Sequence, residues 1–247
     1  MVYVLYTYGV RLSSATDEGD DDETMATRAA RHETQRTPLD RERVLRAAVA
    51  LADERGIESL SMRKLGQELG VEAMSLYNHV ANKEDILTGM VDVVSGEFAG
   101  PTIGVDWRSA LRDSAISAHE VLLRHPWACA LGESRSQAGP ARMGYLESVV
   151  RTMLDGGLSI ELAYQANMML DSYIYGFTLQ EVSWPNPPAD FPQLADAFIR
   201  RLEPDEYPSL IRMAEMVAGP DFDPSADYER GLDLILDSLE RLLAASR

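Results

Sequence analysis

The segment from Gly56 to Asn82 constrains the fold more than any other part of this 247-residue chain. It holds two helical patterns, Met62 to Leu69 and Ala73 to Val80, separated only by Gly70-Val71-Glu72. Isolated helices shorter than about 12–15 residues are marginal in water, so each must bury an apolar side against a neighbour. So short a connection sets the two against each other. Ser61 can cap the first of them. Gly70 permits the left-handed backbone of a tight turn, and Val71 plugs the angle between the helices. Leu65, Leu69, Leu76 and Val80 then supply a small shared core, leaving Ala73, Met74, Ser75, Tyr77 and Asn78 outward on the second helix. A longer helix precedes the pair, Asp40 to Arg55, with Val44, Leu45, Ala48, Leu51 and Ala52 at helical spacing and Gly56 as its C-terminal stop. Asn82 caps a fourth helix, Lys83 to about Phe98, whose first-turn Glu84 and Asp85 complement its dipole. A long helix followed by two short ones across a Gly-containing turn is a helix-turn-helix, whose second element enters the major groove of DNA.

The remaining punctuation also predicts helices, so the fold class is all-α: an N-terminal three-helix head plus a larger helical domain. Residues 39–98 make up the head with its connecting helix, and 99–247 form the second domain. "AGPTIGVDW" (99–107) reads as the linker between them. Helices are expected near 107–124, 139–155, 159–183, 192–202, 205–218 and 225–245. "WPNPPADFP" (184–192) is too proline-rich to be helical. The final helix places Leu232, Leu236, Leu239 and Leu243 on one face. Residues 1–38 form an arm outside the fold. Its acidic stretch "TDEGDDDET" reads as disordered, and Met25 reads as an alternative start, with 1–24 an upstream extension. The apolar "MVYVLYTYGVRLSS" lacks the basic region and cleavage site of a signal peptide.

The formal charge of −17 argues against a globally basic nucleic-acid coat, though binding responds to the local field rather than to the total. The one net-positive segment is 25–38, with three basic and one acidic side chain, directly before the first helix. One cysteine, Cys129, excludes an internal disulfide and fits a reducing cytoplasm; buried in an apolar run it reads as inert packing. No run of about 18 apolar residues predicts a membrane span.

The stretch "RVLRAAVALADERGIESLSMRKLGQELGVEAMSLYNHVANKEDIL" (Arg43 to Leu87) resembles, without gaps, the N-terminal domain of TetR-family transcriptional repressors. The segments "RHPWACAL", "GPARMGYLESVVRTMLDGGLS", "LDSYIYGFTLQE" and "YERGLDLILDSLERLL" are more loosely similar to the tetracycline-repressor-like C-terminal class of that family. By position, the resemblance implies that Arg63 reads a guanine edge, its guanidinium forking onto O6 and N7. Ser75 and Tyr77 take phosphate or base contacts, and Lys83 anchors a phosphate beside a helix N-terminus. His79 packs and hydrogen-bonds near the backbone, and Lys64 reads equally as a DNA contact or as solvated charge. Ala73 and Met74 stand where some relatives carry a polar reader and a proline, and Asn78 where some carry a bulky aromatic. Readout by Met74 and Asn78 therefore implies an operator of its own. Tyr77 and His79 also read as packing against the first helix, and Asn82 as a plain helix cap.

The resemblance further implies a mostly apolar effector pocket in each C-terminal domain. Met143, Leu146, Met168, Tyr173 and Phe177 are candidate lining, with Met169, and Trp127, Asn167 and Gln180 as aromatic or polar accents; all of them also fit plain core. His119 and His125 sit in no motif matching the histidine that coordinates a magnesium–drug complex in tetracycline sensors, so a tetracycline ligand is not supported. Two heads must be joined rigidly to read half-sites about one helical turn or more apart, which predicts a homodimer through 159–183 and 225–245. Ala163, Ala166, Leu170 and Leu239 are the expected partner-facing positions. The expected partners are thus a double-stranded DNA operator, a small apolar effector that releases it, and a second copy, in the cytoplasm and away from membranes. No cofactor or metal is expected: paired Cys motifs, HExxH, phosphate loops and nucleophile elbows are missing from the sequence, which disfavours an all-helical enzyme. A helical interaction module that has lost DNA binding remains the other alternative.

Overall fold

The computed structural model describes residues 38–133, 138–184 and 187–245, and among them every regular element is a helix. Several of the helices begin where a short polar side chain satisfies an orphan amide. Asp40 accepts from the Arg43 N–H ahead of α1 (Arg41–Arg55), and Ser61 from the Lys64 N–H ahead of α2 (Met62–Leu69). Asn82 does the same for α4 (Lys83–Ser95), and Asp106 for α5 (Trp107–Arg124). Between α2 and α3 (Ala73–Leu76), Gly70 takes the left-handed conformation, φ 67° and ψ 34°. The turn thus has the backbone its sequence demands.

The later helices are α6 (Pro126–Glu133), α7 (Pro140–Asp155), α8 (Ile160–Ser183), α9 (Phe191–Ile199), α10 (Pro208–Ala218) and α11 (Asp227–Ala245). Two compact units emerge. In the larger, 39–183 with 223–245, α1 packs on α2 and α4, α4 on α6 and α7, and α5 on α7, α8 and α11. One continuous core runs through it, from Val44, Ala48, Leu65 and Leu76 in the head, through Met90, to Leu111, Leu122, Met153, Leu170, Leu232 and Leu236. The same core thus continues across the expected boundary at 98/99. The smaller unit contains α9 and α10, whose Phe191, Leu194, Ala195 and Phe198 close against Ala214 and Val217. The expected arm, 1–38, lies outside the described residues apart from Pro38.

Four expectations change. The third helix is α-helical only to Leu76; Asn78 and His79 then donate to Ser75 and Leu76 three residues back, a tighter coil. Tyr77, Asn78 and His79 are weak helix formers, so the last turn contracts. The fourth helix likewise tightens after Ser95, with i→i−3 bonds carrying Gly96, Glu97 and Phe98. An unforeseen helix, α6, follows His125 directly; Pro126 at its start was the available signal, because proline is pre-set for a helix's first turn. Proline plays the same part at the start of α9, so "WPNPPADFP" ends in a 3-10 turn at Pro188–Asp190 and a helix begins inside it, at Phe191.

Candidate nucleic-acid interface and sensing half

The head presents its polar residues and hides its apolar ones. Leu65 and Leu76 are fully buried and Val80 nearly so, while Leu69 is half-buried against the same core. Arg63, Lys64, Asn78 and Lys83 are exposed, with Met74 at 75% and Tyr77 at 46% exposure; Ser75 and His79 are half-buried. Met74, three-quarters in solvent, has no role in the core and stands on the outer side of α3. Among the described residues, Arg63, Lys64 and Lys83 have no ion-pair partner within the protein. They stand as uncompensated positive charge in an otherwise acidic chain, the local condition that phosphate binding needs. Lys83 opens α4 behind the Asn82 cap, where helix amides and dipole also favour an anion.

The head meets the rest of its unit through a polar junction that the sequence did not disclose. Asp53, near the end of α1, accepts from the Trp127 indole N–H at 2.7 Å and faces His125 Nδ1 at 2.8 Å. His125 Nε2 lies 3.4 Å from Glu97, which also accepts from Arg124 at 2.9 Å. Burial raises the Glu97 carboxyl, but the hydrogen bonds from Arg124 and His125 outweigh it and hold the group below the usual range. Farther along α4, Asp92 accepts from the Arg142 amide at 3.0 Å and so caps α7. The residue at that cap, Gly139, offers no side chain of its own. Trp127, expected to accent an effector pocket, is thus committed to the junction with α1.

In the sensing half the expected effector residues do not all converge. Met168 and Tyr173 line an open groove of about 490 Å³ between α8 and α11, together with Gln165, Met169, Ser172 and Ile235. Met143 and Leu146 stand exposed on α7, and Asn167 is half-buried on α8. Phe177 belongs instead to an aromatic cluster in which Tyr173, Tyr228 and His119 meet, the His119 ring stacked on Tyr228 with centroids 3.8 Å apart. The Thr178 hydroxyl donates to the Ile174 carbonyl, so its oxygen accepts from His119 Nδ1 at 2.8 Å. His119 Nε2 lies 3.4 Å from Glu181 Oε2. Burial pushes the His119 pKa down to about 4 and the Glu181 carboxyl up, so this imidazole is neutral near pH 7. Burial likewise lifts the Cys129 thiol to about 11, which leaves it unreactive.

The expected dimer residues are corrected outright. Ala163 and Ala166 are fully buried, Leu170 and Leu239 nearly so, all within one chain. They form the inner faces of α8 and α11 and cannot meet a partner. The large apolar side chains left outward on the same helices are Ile160, Tyr164, Met168, Met169, Leu179, Leu234 and Leu242.

Comparison with known proteins assigns both halves. Residues 44–90 match the family described as bacterial regulatory proteins, tetR family, and 100–243 match the tetracyclin repressor-like C-terminal domain. The transcriptional repressor DrrR1 of Streptomyces coeruleorubidus is 34% identical over 83% of this chain and 79% of that protein. The class D tetracycline repressor of Escherichia coli is 28% identical over 84% of this chain and 92% of its own length. Among solved structures, ActR of Streptomyces coelicolor in complex with actinorhodin superposes with a TM-score of 0.71 at 27% identity, covering 84% of this chain and 99% of that one. With a head of this geometry and both family matches spanning nearly all of the described residues, the chain belongs to the TetR family of bacterial transcriptional regulators.

Proposed function

We propose that the protein is a repressor that binds a palindromic operator as a homodimer and is released by a mostly apolar, aromatic effector. The observation that carries this reading is the head itself. Its leucines are consumed by the α2–α3 core, while Arg63, Lys64, Met74, Tyr77, Asn78 and Lys83 stand outward with no task inside the protein. In this reading Arg63 forks onto a guanine edge and Met74 packs on a thymine methyl. Ser75, Tyr77 and Lys83 hold phosphates or neighbouring base edges, and Asn78 reads a base. A protein working on DNA acts in the cytoplasm, and no helix among the described residues is long and apolar enough to cross a membrane.

The second copy covers the outward apolar face of α8 and α11, including the groove lined by Met168 and Tyr173. The effector is assigned to the aromatic cluster of His119, Tyr173, Phe177 and Tyr228, which combines large apolar faces with few polar atoms. ActR, solved with actinorhodin bound, supports a small-molecule effector. Release follows if that effector prefers a state whose heads are wrongly spaced for the operator, by its differential affinity for the two states.

Mobility-shift titration against DNA upstream of the protein's own gene tests the reading. Binding should weaken steeply with salt, and Arg63→Ala should cost about 1–3 kcal/mol and relax discrimination at one base pair. Binding that is absent, or indifferent to salt and to Arg63→Ala, overturns it. A thermal-shift screen of planar polycyclic aromatics beside tetracyclines then tests the effector class, since a ligand of the native state must raise its melting temperature.

A further inference from the structure

The first residue of α1 carries a cation that the operator scheme above does not use. Arg41 grips Asp85 through both guanidinium ends, Nη1 to Oδ2 at 2.7 Å and Nη2 to Oδ1 at 2.6 Å. Asp85 lies on the first turn of α4, and the same Oδ2 accepts from the Ala81 N–H at 2.9 Å. The Asp85 amide in turn donates to the Asn82 cap at 2.9 Å. Arg41 Nη1 also reaches the His79 carbonyl at 3.5 Å. Every residue of the turn from His79 to Asn82 except Val80 is therefore tied, directly or through Asp85, to the start of a helix some 40 positions earlier. Val80 is held from within, buried in the head core.

This turn joins the end of the contracted α3 to Lys83. The α-helix ends at Leu76, and behind it the amides of residues 78–80 reach back only to the Ser75 and Leu76 carbonyls. We propose that Arg41 is a positioning residue for operator binding: through Asp85 it clamps the 79–82 turn and so sets where Tyr77, Asn78 and Lys83 stand against the DNA. The proposal rests on the DNA-binding reading above. The pairing geometry favours positioning over direct phosphate contact. Both ends of the guanidinium are already engaged by a carboxylate, and a neutralised pair contributes little to attraction for a polyanion. The hydrogen bonds from Arg41 hold the Asp85 carboxyl below its ordinary range, so the clamp stays ionised at neutral pH. A partly exposed ion pair adds little to global stability, with Arg41 and Asp85 side chains 46% and 28% accessible. Its effect therefore separates from folding.

A double-mutant cycle with Arg41→Met, Asp85→Ala and the pair decides it, read by operator affinity at two salt concentrations, melting temperature and amide exchange at Ala81. Each single variant should weaken operator binding about tenfold, and the pair no more than either alone. The salt slope and melting temperature should stay near wild type while the Ala81 amide exchanges faster. Arg41→Lys, which keeps charge but loses the fork, should not restore affinity. Additive losses with a salt slope reduced by about one would show Arg41 touching a phosphate itself, and would overturn the proposal. Unchanged affinity in Arg41→Met overturns it as well. A wild-type protein that binds no operator takes down the DNA-binding reading and this one together, whereas the other failures leave that reading standing.

Discussion

At Gly66, one hydrogen in place of a methyl decides whether the two short helices can approach. A Cβ there would stand 2.9 Å from the Val71 carbonyl oxygen and 3.2 Å from the Ala73 amide nitrogen, backbone atoms that cannot rotate aside. Gly66→Ala should therefore destabilise the protein by about 1–3 kcal/mol, as overpacking does, with loss of operator binding. Urea denaturation checks this; a midpoint equal to wild type would mean the helices part freely. Gly70 differs, since its neighbourhood is open and only its left-handed backbone resists a side chain. The sequence made Gly70 legible, because a glycine between two helical patterns signals a turn. Gly66 lay inside a helix, where only the packed structure reveals the approach. His119 was equally opaque: in sequence it is a histidine on an amphipathic helix, while in the fold burial pushes its pKa down from 6.5 to about 4. As pH falls the unfolded chain takes this proton first. The contribution of His119 to stability is thus complete above about pH 6.5 and drains away toward pH 4. Denaturation midpoints should fall between pH 7.5 and 5, and His119→Gln should flatten that decline; an equal decline in the variant would assign it to other groups.

Among the elements, helix existence was readable and helix attachment was not. Caps such as Ser61, Asn82 and Asp106 act within three residues, so spacing alone exposes them. The cap of α7 comes instead from Asp92, 50 positions away on α4, and the Asp53–His125 contact spans 72. No local pattern can show such a pair. The consequence is specific to α4, which connects the head to the sensing half and holds α7 by a hydrogen bond to its first turn. Asp92→Ala removes that cap without disturbing the core. It should cost about 1 kcal/mol, or roughly 2–4 °C in melting temperature for a chain of this size. It should also change the effector concentration needed to release DNA, because the tie between α4 and the sensing half is loosened. A variant with a lowered melting temperature but an unchanged release curve would make the cap purely structural.

For the molecule as a whole, the decisive question is which apolar stripe of α8 and α11 is inside. Both helices carry more apolar residues than one face can hold. Ala163, Ala166, Leu170 and Leu239 matched the small and apolar character expected of an interface, and sequence spacing could not separate them from the outward set. Burial separates them: those four fill the chain's own core, while Leu234 is 68% and Leu242 54% exposed on α11. Two large aliphatic side chains in water two turns apart, beside a groove containing Met168 and Met169, are costly unless something covers them. In the proposed homodimer that cover is a second copy of the same face, as two-fold symmetry requires. Leu234→Glu with Leu242→Glu would place four carboxylates in a dimer interface, where an unpaired buried charge costs several kcal/mol. Neither position supports the fold of the single chain, so the variant should keep its helical content while sedimenting as a monomer. Its affinity for a palindromic site should drop to that of one head for a half-site, with Arg63 still unchanged and available. Should the double variant sediment as a dimer and bind the whole operator normally, the partner face lies elsewhere on the molecule.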